Sequence, residues 1–274
     1  THARRRGPAC VARRLSSNRI MTENQAGSHK ARLDDLLVTR GFFASRSRAR
    51  DAVVRGTVLV DGRPQTKPGS RIARDAVLVV DDPARAYVSR AALKLVAALD
   101  RFGLDPAGAV ALDIGASTGG FTQVLLERGA QHVYAVDVGH GQLDADLAAD
   151  PRVTNLEGLN ARDLAPSHLD GRSVRFIVSD VSFISLKLAL PAALDLAGEG
   201  AGAAFLVKPQ FEAGRAAIGK GGILRDPALG ERIAEDMAAW LESRPGWRGL
   251  GTMPSPIAGG DGNREYLLAG IKDR

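Results

Sequence analysis

The chain has 274 residues, 45% hydrophobic and 25% charged, an ordinary balance for a soluble globular protein with room for one large domain or two smaller ones. No window approaches ~18 uninterrupted apolar residues, which excludes a membrane-spanning helix. The single cysteine, Cys10, excludes a disulfide framework or a cysteine-ligated metal site and fits a reducing, cytoplasmic setting. The formal charge of +6 is uneven: residues 1–31 carry +6, residues 32–88 carry +4 and residues 89–274 carry −4. A basic amino-terminal third that grips a polyanion, joined to a mildly acidic remainder that does chemistry, fits that distribution.

Residues 1–31 are expected to be a disordered basic leader; Arg4, Arg5, Arg6, Arg13, Arg14 and Arg19 make a transit peptide the alternative. From Arg32 the pattern changes. Leu33, Leu36 and Leu37 share one helical face, and Gly41 stops that helix. Ser45 is placed to cap a second helix over 46–55, with Ala49, Ala52 and Val53 inward and Arg46, Arg48, Arg50 and Arg55 outward. Strands follow at 58–60 and 76–80, with a turn at Asp61-Gly62. A charged helix face is ordinarily no more than a solvated surface. Residues 82–88 read as a linker, after which Ser89 caps a helix that carries Lys94 beside its apolar stripe and ends at Gly103.

From Ala109 the chain alternates strand and helix, as an α/β sheet requires. Strands are expected at 109–114, 132–137, 153–157, 174–179, 203–207 and 265–271, with a weaker one at 247–253; helices are expected at 120–128, 143–149, 185–197 and 227–243. Between the first strand and its helix lies Gly115-Ala116-Ser117-Thr118-Gly119-Gly120-Phe121, a run whose backbone a ligand can approach closely at a helix N-terminus. Its spacing is not the dinucleotide fingerprint, which disfavours a nicotinamide. Asp137 closes the next strand, where an acid takes ribose hydroxyls, so an adenosine-containing cofactor is expected, with Val138 beside it and Asn160 near the nucleobase. Asp180 and Lys208 close two further apolar strands, and Glu265 begins the last one, as an antiparallel strand ending at the same sheet edge would.

Lys94, the 115–121 loop, Asp137-Val-Gly139, Ser179-Asp-Val-Ser-Phe183, Val207-Lys-Pro-Gln-Phe211 and Gly262-Asn-Arg-Glu265 together closely resemble the TlyA family, ribosomal RNA ribose 2′-O-methyltransferases often also labelled hemolysins. Residues 32–81 resemble the small RNA-binding domain first seen in ribosomal protein S-four, through Arg32-Leu-Asp, Gly41, Ser45-Arg46, Ala49 and Gly56-x-Val58-x-Val60-Asp-Gly62. The resemblance implies an α/β fold: a Rossmann-like class I methyltransferase domain at 89–274 with a seven-stranded, mostly parallel sheet, preceded by a small α+β RNA-binding domain. It implies S-adenosyl-L-methionine as cofactor, bound by residues 115–121, Asp137, Val138, Asn160 and Asp180. It implies ribosomal RNA or ribosomal subunits as partner, with Arg32, Arg46, Arg48, Arg50 and Arg55 on the RNA, and no metal or membrane. The Lys-Asp-Lys-Glu tetrad of the wider FtsJ-type methyltransferases falls on Lys94, Asp180, Lys208 and Glu265. Those enzymes carry an acid where Asn160 stands.

Other readings fare worse on the residues. Carbon-5 methylation of pyrimidines usually needs a cysteine nucleophile, and Cys10 lies in the leader. Amino-group methylases commonly carry Asp/Asn-Pro-Pro-Tyr after the fourth strand, whereas Val-Ser-Phe follows Asp180. A membrane-active hemolysin would need a spanning or long basic amphipathic helix. A non-catalytic RNA-binding scaffold would have no use for the intact tetrad.

Overall fold

The structure is a computed structural model in which residues 30–260 and 262–274 are described. Most of the expected leader lies outside the described residues; its last two positions, Lys30 and Ala31, belong instead to a strand. Contacts divide the chain into two compact units, meeting between Asp81 and Asp82.

The smaller unit runs β1 (Lys30–Arg32), α1 (Leu33–Thr39), α2 (Arg46–Val54), β2 (Val58–Val60), β3 (Arg63–Pro64), β4 (Arg71–Ala73) and β5 (Leu78–Val80). β1 pairs with β4, and β3, β2 and β5 form a second antiparallel sheet. Leu33, Leu36 and Leu37 of α1 bury against Ala49, Ala52 and Val53 of α2, so the apolar stripes read from the sequence are the seam of the unit. Ser45 Oγ accepts from Arg48 N at α2's first turn, and the Asp61-Gly62 turn has positive φ at both residues.

The larger unit opens with a single 3₁₀ turn, Pro83–Ala86, tied down by Gln123, whose side chain accepts from Val88 N (2.8 Å) and donates to Ala86 O (2.9 Å). Then follow α3 (Ala92–Phe102), β6 (Val110–Ile114), α4 (Gly120–Glu127), β7 (His132–Asp137), α5 (Ala145–Ala148), β8 (Val153–Glu157) and β9 (Val174–Ser179). The chain continues through α6 (Leu186–Ala189), α7 (Pro191–Leu196), β10 (Ala197–Val207), α8 (Pro209–Glu212), α9 (Ala228–Glu242), β11 (Trp247–Pro254) and β12 (Tyr266–Lys272). The helix expected over 185–197 is two helices, because Pro191 has no amide to continue the first and instead starts the second. The strand expected over 203–207 is the straight end of β10, whose register against β9 shifts between Ala197 and Gly202.

The seven strands lie in the order β11-β12-β10-β9-β6-β7-β8. β12 runs antiparallel to both of its neighbours, and the remaining pairs are parallel. Both faces are covered: α3, α4 and Leu147 of α5 pack on Ala111, Val133 and Phe176, while α6, α7 and α9 pack on Leu112, Tyr134, Ile177 and Phe205. Coverage on two sides explains why these strands are continuous apolar runs rather than alternating ones. Chain order reverses between β6 and β9, and the crevice beyond their carboxyl ends is where an open α/β sheet takes its ligand.

Candidate active site

The turn after β6 is built from residues that need left-handed backbone. Gly115 has φ +83°, and a Cβ there would stand 2.9 Å from Val181 Cγ1 and 3.1 Å from Val181 N. Ser117, a non-glycine, sits at φ +47°. Its amide donates to Asp137 Oδ2 (2.8 Å), while Asp137 Oδ1 accepts from Gly139 N (2.8 Å). Both oxygens of Asp137 therefore hold backbone amides, and each keeps a lone pair for a ligand hydroxyl.

Two cavities flank this loop. The larger, about 460 Å³, is lined by Gly115, Ser117, Asp137, Val138, Asn160 and Asp180, among others. The smaller, about 150 Å³, is lined by Ala116, Thr118, Gly120, Phe121 and Lys208, and shares Gly115, Ser117, Asp180 and Ser182 with the first. Of the expected cofactor residues, Gly119 borders neither; its φ of +95° serves packing, since a Cβ there would meet Leu147 Cδ1 at 2.5 Å. Asn160 Oδ1 accepts from Arg162 N (3.1 Å) and Nε (3.2 Å).

The four tetrad residues form two ion pairs. Lys208, just past β10, places Nζ 2.7 Å from Asp180 Oδ1 and donates to Ser182 Oγ (2.7 Å). Lys94 of α3 donates to Glu265 Oε2 at 2.5 Å, with both side chains almost wholly buried. Val207 and Tyr266 are register partners, so Lys208 and Glu265, one step beyond each, leave the sheet at the same edge. Lys94 and Glu265 border neither cavity. Behind the loop, Asp113 faces α4, is fully buried, and accepts from Thr122 Oγ1 (2.7 Å); burial pushes its carboxyl up to about 7.

Sequence reasoning passed over several residues here. Ser182, the hydroxyl partner of Lys208, sits inside the Ser179–Phe183 run, where no local pattern distinguishes it from Ser179. Gln142 lines the larger cavity, and Glu157, an acid closing a strand as Asp137 does, accepts three loop amides. The shared strand-end position was the available signal for Glu157.

In the smaller unit Arg32 and Arg46, both expected to contact RNA, are engaged by aspartates of α1. Arg32 donates to both oxygens of Asp34 (3.0 and 2.9 Å), and Arg46 lies 3.1 Å from Asp34 and 2.8 Å from Asp35. Those contacts, Arg32's hydrogen bonds first, hold the buried Asp34 carboxyl down to about 2. Arg50 is exposed on α2, beside Ser47 and Asp51; Arg48 and Arg55 share that helix and its C-cap.

Residues 87–272 match the family model of the FtsJ-like methyltransferases, and residues 31–78 match the S4 domain. The 16S/23S rRNA (cytidine-2'-O)-methyltransferase TlyA of Mycobacterium tuberculosis is 47% identical over 242 residues, which are 88% of this chain and 90% of that protein. The chain belongs to the TlyA family. Hemolysin A of Brachyspira hyodysenteriae is 41% identical, over 86% of this chain and 98% of that one. A solved structure from Streptococcus thermophilus that carries a hemolysin label is 41% identical, with a TM-score of 0.68 and 89% of each chain covered. Methyltransferase and hemolysin labels thus both occur among TlyA relatives of similar identity, and the labels do not discriminate between activities. Among the described residues, no helix is long and apolar enough to cross a membrane.

Proposed function

We propose that this TlyA-family protein transfers a methyl group from S-adenosyl-L-methionine to the ribose 2′-hydroxyl of a cytidine in ribosomal RNA, in the cytoplasm. Residues 32–81 would grip the RNA, residues 82–88 would link the units and residues 89–274 would carry out the transfer. The observation that carries this reading is Lys208, held by Asp180 and Ser182 on the wall of a cavity that shares Gly115 and Ser117 with a larger one.

The residues present fit the cofactor. A cradle in which Gly115 has no space for a Cβ, an acid closing β7, and two cavities of about 460 and 150 Å³ that share lining residues suit a nucleoside joined to an amino-acid tail. Residues 115–118, 120 and 121, Asp137, Val138, Asn160 and Asp180 would hold it. Once bound, it supplies a methyl already activated on a sulfonium. The protein's task is then to prepare the acceptor. A ribose hydroxyl is a poor nucleophile until its proton is shared or lost, and Lys208, on the wall of the smaller cavity, would do this. As an ammonium it stabilises developing negative charge on the oxygen, and as a free amine it takes the proton. Asp180 and Ser182 fix its direction. The buried Lys94–Glu265 pair holds the neighbouring sheet edge rigid, so that alignment of the reacting groups supplies much of the rate. The smaller unit would supply phosphate contacts that position without reading sequence, with Arg50 of α2 exposed and Arg48 and Arg55 half-buried beside it.

The test is transfer of labelled methyl from S-adenosylmethionine to ribosomal subunits and to free ribosomal RNA, followed by mapping of 2′-O-methyl positions. Label at cytidine ribose, absent with Lys208→Ala, is the expected result. Label on a base, or none on any ribosomal substrate, would refute the assignment.

A further inference from the structure

β7 and β8 end on two acids that are register partners, Asp137 and Glu157. Asp137 is accounted for by the cofactor cavity; Glu157 is not. Its Oε2 accepts from Gly141 N (2.7 Å), and its Oε1 accepts from Gln142 N (2.8 Å) and Leu143 N (3.1 Å). Together with the Gly139 amide on Asp137, four amides of one short loop converge on two neighbouring carboxylates. The donors keep the Glu157 carboxyl ionised beside its neighbour: the amides of Leu143, Gly141 and Gln142 hold it down to about 2.

The loop's side chains are equally constrained. His140 lies over Gly158, where a Cβ would stand 2.6 Å from His140 Nε2, and Gly158 N donates to Gly139 O (3.0 Å). The Gln142 carboxamide folds back over Gly139, leaving no space there for a Cβ, and its Oε1 accepts from Ser117 Oγ (3.2 Å). Gln142 thereby bridges from the loop to the glycine turn and lines the larger cavity beside Asp137. Gln142 is exposed, so no core packing holds it in that place. What fixes its backbone is the carboxylate of Glu157.

We propose that Glu157 is a positioning residue for the cofactor, acting through Gln142, which closes the Asp137 side of the cavity. This rests on the reading of that cavity as the S-adenosylmethionine site. Released from Glu157, the 139–143 loop would give up the single conformation in which Gln142 reaches Ser117. A ligand would then have to order the loop as it binds, which lowers affinity without touching the acceptor chemistry.

The test is calorimetric titration of the full chain with S-adenosylhomocysteine, using wild type, Gln142→Ala, Glu157→Gln and the double variant, with steady-state kinetics on ribosomal RNA alongside. Wild type must bind; if it does not, the cofactor reading itself fails and this proposal with it. Given binding, Gln142→Ala, an exposed change that leaves the fold in place, should weaken affinity. Glu157→Gln should weaken it about tenfold, the factor that ~1.4 kcal/mol represents, raising the KM for cofactor while leaving the KM for RNA unchanged. In the Gln142→Ala background, Glu157→Gln should add less than about twofold, since its route of action is already gone. Wild-type affinity in Gln142→Ala, or losses that simply add in the double variant, would overturn the proposal while leaving the cofactor reading intact.

Discussion

Breaking the Lys94–Glu265 pair is the sharpest test of the site's construction. The two groups are 2.5 Å apart, with side chains 7% and 3% exposed, and they come from elements 171 residues apart in sequence. Removing one partner strands the other charge out of water, which costs about 3–5 kcal/mol. In a unit spanning residues 82–274, each kcal/mol shifts Tm by roughly 2–4 °C. Lys94→Met or Glu265→Met alone should therefore lower Tm by roughly 6–20 °C. The Lys94→Met/Glu265→Met double variant replaces the pair with apolar groups of similar volume and should recover most of that loss. The resulting coupling should be at least ~2 kcal/mol. Methyl transfer should fall in both single variants and recover with stability in the double, because the pair acts by holding the sheet edge rigid. Thermal and urea melts of all four proteins, with methyl incorporation measured on each, give the full cycle. Single losses under ~1 kcal/mol, or additive losses in the double variant, would refute the view that this is a desolvated, mutually dependent pair.

Lys208→Ala should abolish methyl transfer while S-adenosylhomocysteine affinity stays within about threefold, whereas Asp137→Ala, which releases the Ser117 and Gly139 amides, should chiefly weaken that affinity; equal binding losses would sink this division of roles. Replacing Arg48, Arg50 and Arg55 by alanine should flatten the salt dependence of RNA binding by roughly 0.7–0.9 in log–log slope per lost phosphate contact. Arg46→Ala should instead reduce stability, because it removes a partner of the buried Asp34; an unchanged slope in the triple variant would return those arginines to a merely solvated face. Burial pushes the Asp113 carboxyl from an ordinary 3.8 up to about 7, so its contribution to stability should fall as pH rises from about 4 to 7 and level off above. Asp113→Asn should lack that slope, and a wild-type minus variant Tm difference that is constant from pH 5 to 8 would contradict it.

Sequence alone determined the larger architecture. Apolar runs such as Phe176–Val178 and Phe205–Val207 have no polar face to offer water, so they dictate strands covered on both sides. Gly115 and Gly119 are glycines where the turn requires positive φ, which marked the cradle before any coordinates. Asp180, Lys208 and Glu265 were legible as site candidates because a charged residue beside an apolar strand must emerge at a sheet edge. Side-chain partnership was not legible, because it depends on proximity and desolvation between segments that no local period relates. Only the tertiary structure paired Lys94 with Glu265 and gave Lys208 the hydroxyl of Ser182. It alone engaged Arg32 and Arg46 with a buried aspartate and raised Asp113 by enclosing it. It alone turned Glu157 from one more acid at a strand end into the anchor of a loop, since the three amides it holds are aligned by the fold and by nothing in their sequence.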